Sequence, residues 1–205
     1  MVRNSRCRQT FKGLNLNLEL FDDLPWAISR DSAEYLQNLD TDPDVLIEFG
    51  SGLTTLLFMD KFKDTKTEIL TFEHLPKYYK ITSELLLTNG HNFPPIKLCP
   101  LVNNSEVGPL PYYNCVDHLK SITHGQNVLI FVDGPPAMGT QSRLPALKLV
   151  LNTIKPKSGT IIIDDYNRIE EQEIVDNWRQ QLSEKCKELY EPITPPELKQ
   201  IDFIF

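Results

Sequence analysis

Four apolar runs in this chain end in carboxylates. VLIEFGSG (45–52) carries Glu48 just ahead of Gly50, Ser51 and Gly52, and LTFEH (70–74) ends in Glu73 and His74. LIFVDGPP (129–136) ends in Asp133, and TIIIDDYNR (160–168) ends in Asp164 and Asp165. Two glycines let the backbone turn tightly and a ligand approach closely, and a helix starting after them offers free N–H groups. A carboxylate at position 48 would repel a pyrophosphate and attract an ammonium group. Glu73 suits the paired hydroxyls of a ribose, or alternatively caps a helix that starts near Pro76. His74 reads as a packing or adenosine-edge residue rather than a catalyst. If Asp133, Asp164 and Asp165 converge, something positive must lie among them: a hard cation such as Mg2+, a proton, or an arginine such as Arg143 or Arg168. Without a metal, Asp133 or Asp164 would itself take a proton from a substrate. The metal-ligand candidates are therefore Asp133, Asp164 and Asp165, and the catalytic candidates are Asp133 and Asp164.

The elements that must position these residues alternate between short apolar runs and amphipathic stretches, the pattern of βαβ units and a parallel sheet. Strands are expected over 45–49, 67–72, 96–102, 127–132 and 159–163, with a closing pair over 186–190 and 201–205. Helices are expected over 31–39, capped by Asp31 or Ser32, and over 53–62, 76–89, 141–154 and 169–185. The stretch 103–126, rich in Pro, Asn, Gly and Tyr, reads as a long loop, which in a compact domain implies a task such as covering a ligand. Within it Tyr112 and Tyr113 would line an acceptor pocket, stack on an adenine, or anchor the loop. Trp26 and Trp178 are expected in the core. Right-handed crossovers wind such strands into a doubly wound sheet, with 3-2-1-4-5 as the expected order and ligands beyond the strands' carboxyl ends. Asp133 and the Asp164–Asp165 pair then share one rim.

With 205 residues the chain suffices for one well-cored α/β domain (25–205) behind an N-terminal arm (1–24). A formal net charge of −7 argues against a phosphate-backbone binder. The basic Arg3, Arg6, Arg8 and Lys12 read as a solvated terminus. Cys7, Cys99, Cys115 and Cys186 are scattered without zinc spacing, which fits free thiols in a reducing compartment. No apolar run approaches the roughly 20 residues of a membrane span, so a cytoplasmic location is expected.

Together these motifs resemble the class I S-adenosylmethionine-dependent methyltransferases. The resemblance is carried by PWAIS (25–29), EFGSG (48–52), FEH (72–74), VDGPP (132–136), SRLPA (142–146) and IIIDDYNR (161–168). It implies a Rossmann-like doubly wound, mostly parallel seven-stranded sheet of order 3-2-1-4-5-7-6. It also implies a cofactor site of Glu48, Gly50, Ser51, Gly52, Glu73, His74 and Asp133, in which the glycine turn holds the methionine portion and Glu73 the ribose. The DDY ending looks like the macrocin-type sugar O-methyltransferases, which implies Asp133, Asp164 and Asp165 as Mg2+ ligands. DGPP departs from that pattern, and no lysine directly follows Asp133, which leaves the general base unassigned. The implied reaction is methyl transfer to an oxygen of a small molecule, a sugar or glycan precursor, with amine or peptide methylation as runner-up. Neither nucleic acid nor membrane is expected as a partner, and a homodimer stays open. Two rivals remain. A nicotinamide-dinucleotide oxidoreductase would need a third glycine at position 55, where Thr55 stands, and a non-catalytic partner could be built on the same scaffold.

Overall fold

The computed structural model describes residues 18–22, 27–103, 110–122, 125–136 and 141–205. Most of the N-terminal arm, with Pro25 and Trp26 of the PWAIS segment, lies outside these. Strand β1 (Val45–Phe49) is buried along its whole length because it lies at the centre of a sheet covered on both faces. Val45, Ile47 and Phe49 join Ile130, Val132, Ile161 and Ile163 on one face, under Leu147, Val150, Ile174 and Trp178 of the helices Pro145–Ile154 and Ile169–Ser183. Leu46, Leu129, Phe131 and Ile162 point the other way, onto Leu36 of α1 (Arg30–Asn38) and Leu57 and Phe58 of α2 (Leu53–Lys61). Period-two alternation thus serves two cores at once.

The remaining strands are β2 (Glu68–Glu73), β3 (Ile96–Leu98), β4 (Leu101–Val102), β5 (Tyr112–Tyr113), β6 (Asn127–Val132), β7 (Ser158–Ile163), β8 (Glu188–Tyr190) and β9 (Lys199–Ile204). The large sheet runs β3-β2-β1-β6-β7-β9-β8. Counted over its seven strands alone this is 3-2-1-4-5-7-6, the expected order. The first five strands are parallel, and β9 and β8 close the edge antiparallel. The other helices are α3 (Pro76–Thr88) and α4 (Val116–Lys120), which makes the two helices over β7's flank α5 (Pro145–Ile154) and α6 (Ile169–Ser183).

Four local expectations are corrected. The run 96–102 is two strands, because Pro100 offers no N–H to a ladder. Its first half pairs with β2, and its second half turns to pair with β5. The expected long loop therefore holds β5 and α4. Helix α1 begins a residue earlier than expected, and Ser29, rather than Asp31 or Ser32, caps it by accepting the Ser32 N–H at 3.2 Å. The helix expected from 141 starts at Pro145, after a turn closed by the Leu144 N–H on the Gln141 carbonyl. Trp178 is buried as expected, its indole N–H donating to the Leu144 carbonyl at 3.0 Å. Cys99, Cys115 and Cys186 are free thiols. No described helix is long and apolar enough to cross a membrane.

Candidate active site

The site arises where the central strands stop. The backbone ladder runs one residue past them: Gly50 N–H donates to the Phe72 carbonyl, Asp133 N–H to Phe49, and Asp164 N–H to Val132, at 2.9, 2.9 and 3.0 Å. Beyond that the chains splay, and their next side chains border a cavity of about 360 Å3 lined by Gly50, Ser51, Glu73, His74, Asp133 and Asp164 among others. A more open groove of about 620 Å3, walled by Tyr35, Tyr190, Gln200 and Asp202 among others, contains none of the residues that end β1, β2, β6 and β7.

Two glycines let the β1 and β6 ends close on each other. Gly50 adopts φ +97°, and a Cβ there would stand 3.1 Å from the Asp133 carbonyl carbon. A Cβ on Gly134 would stand 3.0 Å from Gly50 Cα and 2.3 Å from the Tyr113 hydroxyl. Gly52 is different: it heads α2 with an extended φ of 173°, and an added Cβ would meet nothing within 4 Å. It is also not among the residues lining the cavity.

Glu73 spans the turn. Its Oε2 accepts the Ser51 N–H at 3.2 Å and the Ser51 hydroxyl at 2.9 Å, while Oε1 accepts the N–H groups of His74 and Leu75 at 2.7 and 2.8 Å. Burial pushes its pKa upward, but these donors and the adjacent His74 outweigh burial and leave it below the usual range. Glu73 thus lines the cavity and, through the His74 and Leu75 N–H groups, also holds the segment leading into α3, which starts without a side-chain cap. His74 Nδ1 lies 3.2 Å from Glu73 Oε1, with its ring edge-on to Tyr113. Of the two tyrosines, Tyr113 lines the cavity and Tyr112 packs beneath it against Phe49. Neither hydroxyl has a hydrogen-bond partner among the described residues.

Glu48 departs from its expected place. As the penultimate residue of β1 it lies within the ladder, opposite Thr71 and Phe131, rather than past its end. It is wholly buried, and its carboxylate accepts the hydroxyls of Thr54, Thr55 and Thr71 at 2.6, 2.8 and 2.8 Å. Thr55, the residue where a dinucleotide turn would have glycine, also accepts the Gly52 N–H at 3.1 Å. Glu48 therefore braces the glycine turn from below and does not line the cavity. Burial lifts its pKa from 4.5 to about 7, against the three hydroxyls that lower it. The folded chain holds this proton more tightly than the unfolded one, so the group costs nothing below about pH 4.5. It destabilises by about 3 kcal/mol once pH passes 7. Glu48→Gln should flatten the fall in stability between pH 4.5 and 8 in urea unfolding. Parallel curves for the two proteins would refute this account.

Asp133, Asp164 and Asp165 do converge: one carboxylate oxygen of each lies within 4.8 Å of the others. Burial, followed by the charge of Asp164, raises Asp133 well above the usual range, with Arg143 opposing. Burial and Asp165 raise Asp164 to about 6. Neither Asp164 nor Asp165 caps α6, which starts at Ile169 behind Arg168 without a side-chain cap.

The hub of the cluster is Arg143, whose side chain is 3% exposed. Its guanidinium donates to the backbone carbonyls of Asp164 at 3.0 Å, Asp133 at 3.2 Å and Pro135 at 3.4 Å. It also donates to Asp165 Oδ2 at 2.9 Å and Asp133 Oδ1 at 3.4 Å, and lies 3.8 Å from Glu171. Sequence reasoning saw Arg143 only as a candidate counter-charge. Its clamping of three backbone carbonyls had no local signal, because the turn before α5 meets the ends of β6 and β7 only in the folded chain.

No family model matches the sequence, and no curated protein does. Solved structures do match. The SAH-bound methyltransferase PaMTH1 of Podospora anserina superimposes with a TM-score of 0.62 at 20% identity, over 92% of this chain and 86% of that one. The chain has the Rossmann-like methyltransferase fold. The fibrillarin pre-rRNA processing protein of Methanococcus jannaschii matches at a TM-score of 0.51 and 16% identity, over 84% of this chain and 73% of its own. A predicted O-methyltransferase of Agrobacterium tumefaciens, Atu636, matches at 0.50 and 13%, over 85% and 80%. At these identities the likeness speaks for the fold, and acceptor chemistry must be argued from the site.

Proposed function

We propose that this chain transfers a methyl group from S-adenosylmethionine to an oxygen of a small, sugar-like acceptor. The observation that carries the reading is one cavity lined both by the Gly50–Ser51 turn, tied to Glu73, and by the carboxylates Asp133 and Asp164. Glu73 would accept the cofactor's ribose hydroxyls. Ser51 can yield the carboxylate, because its hydroxyl also lies 3.2 Å from Thr82 Oγ1. Gly50 lets the sulfonium end approach the backbone. Transfer is an in-line displacement that needs the acceptor oxygen held about 3 Å from the methyl carbon. Asp164, with a pKa near 6, is largely ionised at neutral pH and would accept the acceptor's proton.

Mg2+ fits the donor set, since three carboxylate oxygens lie within 4.8 Å of one another, close enough for one hard cation at ligand distances of about 2.1–2.5 Å. Asp133, Asp164 and Asp165 would hold it. When bound, such an ion lowers the pKa of a coordinated acceptor hydroxyl. An amine-bearing acceptor is the second reading, favoured by the four carboxylates (Glu73, Asp133, Asp164, Asp165) set against two arginines around the cavity. The acidic chain is proposed to act on a small molecule rather than nucleic acid or membrane, in the cytoplasm and with a homodimer left open.

The test is calorimetric titration with S-adenosylhomocysteine, followed by methyl transfer to a panel of neutral sugars, polyols and amines with and without a chelator. Asp164→Ala should abolish turnover and Mg2+ dependence together while leaving the titration intact. Full activity in excess chelator would remove the metal from the mechanism. Binding without turnover on any acceptor would favour a non-catalytic partner, and a lack of S-adenosylhomocysteine binding would sink the reading as a whole.

A further inference from the structure

Tyr112 and Tyr113 both carry buried hydroxyls with no hydrogen-bond partner among the described residues. Buried hydroxyls are nearly always paired, so each of these calls for an explanation. Tyr112 packs beneath the cavity, whereas Tyr113 lines it. The Tyr113 hydroxyl lies against Gly134, where an added Cβ would stand 2.3 Å from it, and Gly134, Gly50, Glu73 and Asp133 line the same cavity. The ring is held in place: its centroid lies 5.5 Å from that of Phe49, and Tyr112 and His74 meet it edge-on at 5.1 and 5.7 Å. Burial, then the charges of Glu73 and Asp133, push its pKa well above the usual tyrosine value, with Arg143 opposing. The hydroxyl therefore keeps its proton and can donate. A donor already fixed by packing costs a ligand little ordering entropy.

A ribose bound beside Glu73 needs such a donor. An ionised carboxylate can only accept, so a ribose hydroxyl that donates to Glu73 keeps its own lone pairs to be satisfied elsewhere. Glu73 itself has little to spare, since four donors from Ser51, His74 and Leu75 already meet its roughly four lone-pair sites. We propose that Tyr113 is a specificity-determining residue: its hydroxyl donates to the cofactor ribose hydroxyl whose own proton goes to Glu73. The two side chains then read a group that must both give and take a hydrogen bond. A hydroxyl does both, an ether oxygen only takes, an ammonium only gives, and a deoxy carbon does neither. This rests on the cofactor reading above and adds to it a residue on the β4–β5 ribbon, outside the strand ends that suggested the cofactor.

The test is a cycle between the protein hydroxyl and the ligand hydroxyl, read by calorimetry. The probes are S-adenosylhomocysteine and its two analogues that each lack one ribose hydroxyl. Tyr113→Phe should weaken S-adenosylhomocysteine binding about tenfold, the size of one hydrogen bond lost from a buried site. It should weaken one analogue equally, and leave the other, which lacks the hydroxyl that Tyr113 reads, within about threefold of its affinity for the parent protein. Tyr112→Phe removes the neighbouring orphan hydroxyl and should leave all three affinities within about threefold. An equal loss on all three ligands in Tyr113→Phe would mean disturbed packing rather than a bond to the ribose, and would overturn the proposal. So would an unchanged affinity for S-adenosylhomocysteine in Tyr113→Phe, or a loss in Tyr112→Phe as large as in Tyr113→Phe. The parent protein alone supplies a check that needs no variant to fold: if both analogues bind it as tightly as S-adenosylhomocysteine does, no ribose hydroxyl is read and the proposal falls. In each of these results the parent still binds S-adenosylhomocysteine, so the cofactor reading survives them. A parent that does not bind it overturns both.

Discussion

Glu73→Ala should weaken S-adenosylhomocysteine binding at least a hundredfold, a loss of about 3 kcal/mol. The size follows from what the carboxylate does in the folded chain. It accepts four donors, two from Ser51 and one each from His74 and Leu75, and so joins the glycine turn after β1 to the start of α3. Its truncation strands backbone N–H groups of both loops and removes the acceptor proposed for the ribose. Charge-assisted hydrogen bonds of this kind are worth about 1.5–3 kcal/mol each, so the loss of a ribose pair alone accounts for the expected effect. Bracing and binding can be separated with Ser51→Ala. That change removes one donor to Glu73 but leaves the carboxylate in place, so affinity should stay within about threefold, under 1 kcal/mol. If Glu73→Ala costs less than threefold in affinity, the residue serves the turn alone and the ribose assignment falls. Melting curves of each variant show whether the chain is still folded at the titration temperature.

The second large effect is expected from Gly134→Ala. A methyl group there would sit 2.3 Å from the Tyr113 hydroxyl and 3.0 Å from Gly50 Cα. Tyr113 cannot swing away cheaply, because its ring is locked among Phe49, Tyr112 and His74. Gly50 cannot retreat either, since its left-handed turn rests on Asp133. Overpacking of this sort costs about 3 kcal/mol or more, which for a chain of this size lowers the melting temperature by about 6–12 °C. Because Gly134 and Gly50 both line the cavity, cofactor affinity should fall as well. Tyr113→Phe supplies the internal control. Its hydroxyl has no partner among the described residues, so removing it alone should be close to neutral. Combined with Gly134→Ala it should recover part of the lost stability, because the shortest contact is gone while the approach to Gly50 remains. A single Gly134→Ala variant that melts within 2 °C of the parent would show that the two strand ends are not packed as described.

The Tyr113–Gly134 contact shows what lay beyond the sequence. The glycines could be read as a turn, and the tyrosines as belonging to a loop with a task. That the two meet depends on a β4–β5 ribbon, which exists because Pro100 breaks the expected strand and sends its second half to a new partner. Periodicity sees a run of apolar residues and cannot see which edge it will pair with.

The positions of the acids were legible for a local reason. A strand buried on both faces must be apolar, so the first charges after it mark where it leaves the sheet. That rule placed Glu73, Asp133, Asp164 and Asp165 on one rim once the strand order was known. The same rule misplaced Glu48, which is charged yet still inside the ladder. Its charge is tolerated there because Thr54, Thr55 and Thr71 converge on it from α2 and β2. The sequence by itself determined the succession of strands and helices and the acids that end the strands, since these follow from hydrophobic alternation, while the full strand order was implied by the family resemblance. Only the tertiary structure decided which carboxylates face the cavity, which one is sealed beneath it, and that Arg143 holds the cluster together. Hydrogen-bond partners are chosen by whatever the fold brings within 3 Å, and distance along the chain carries no record of that.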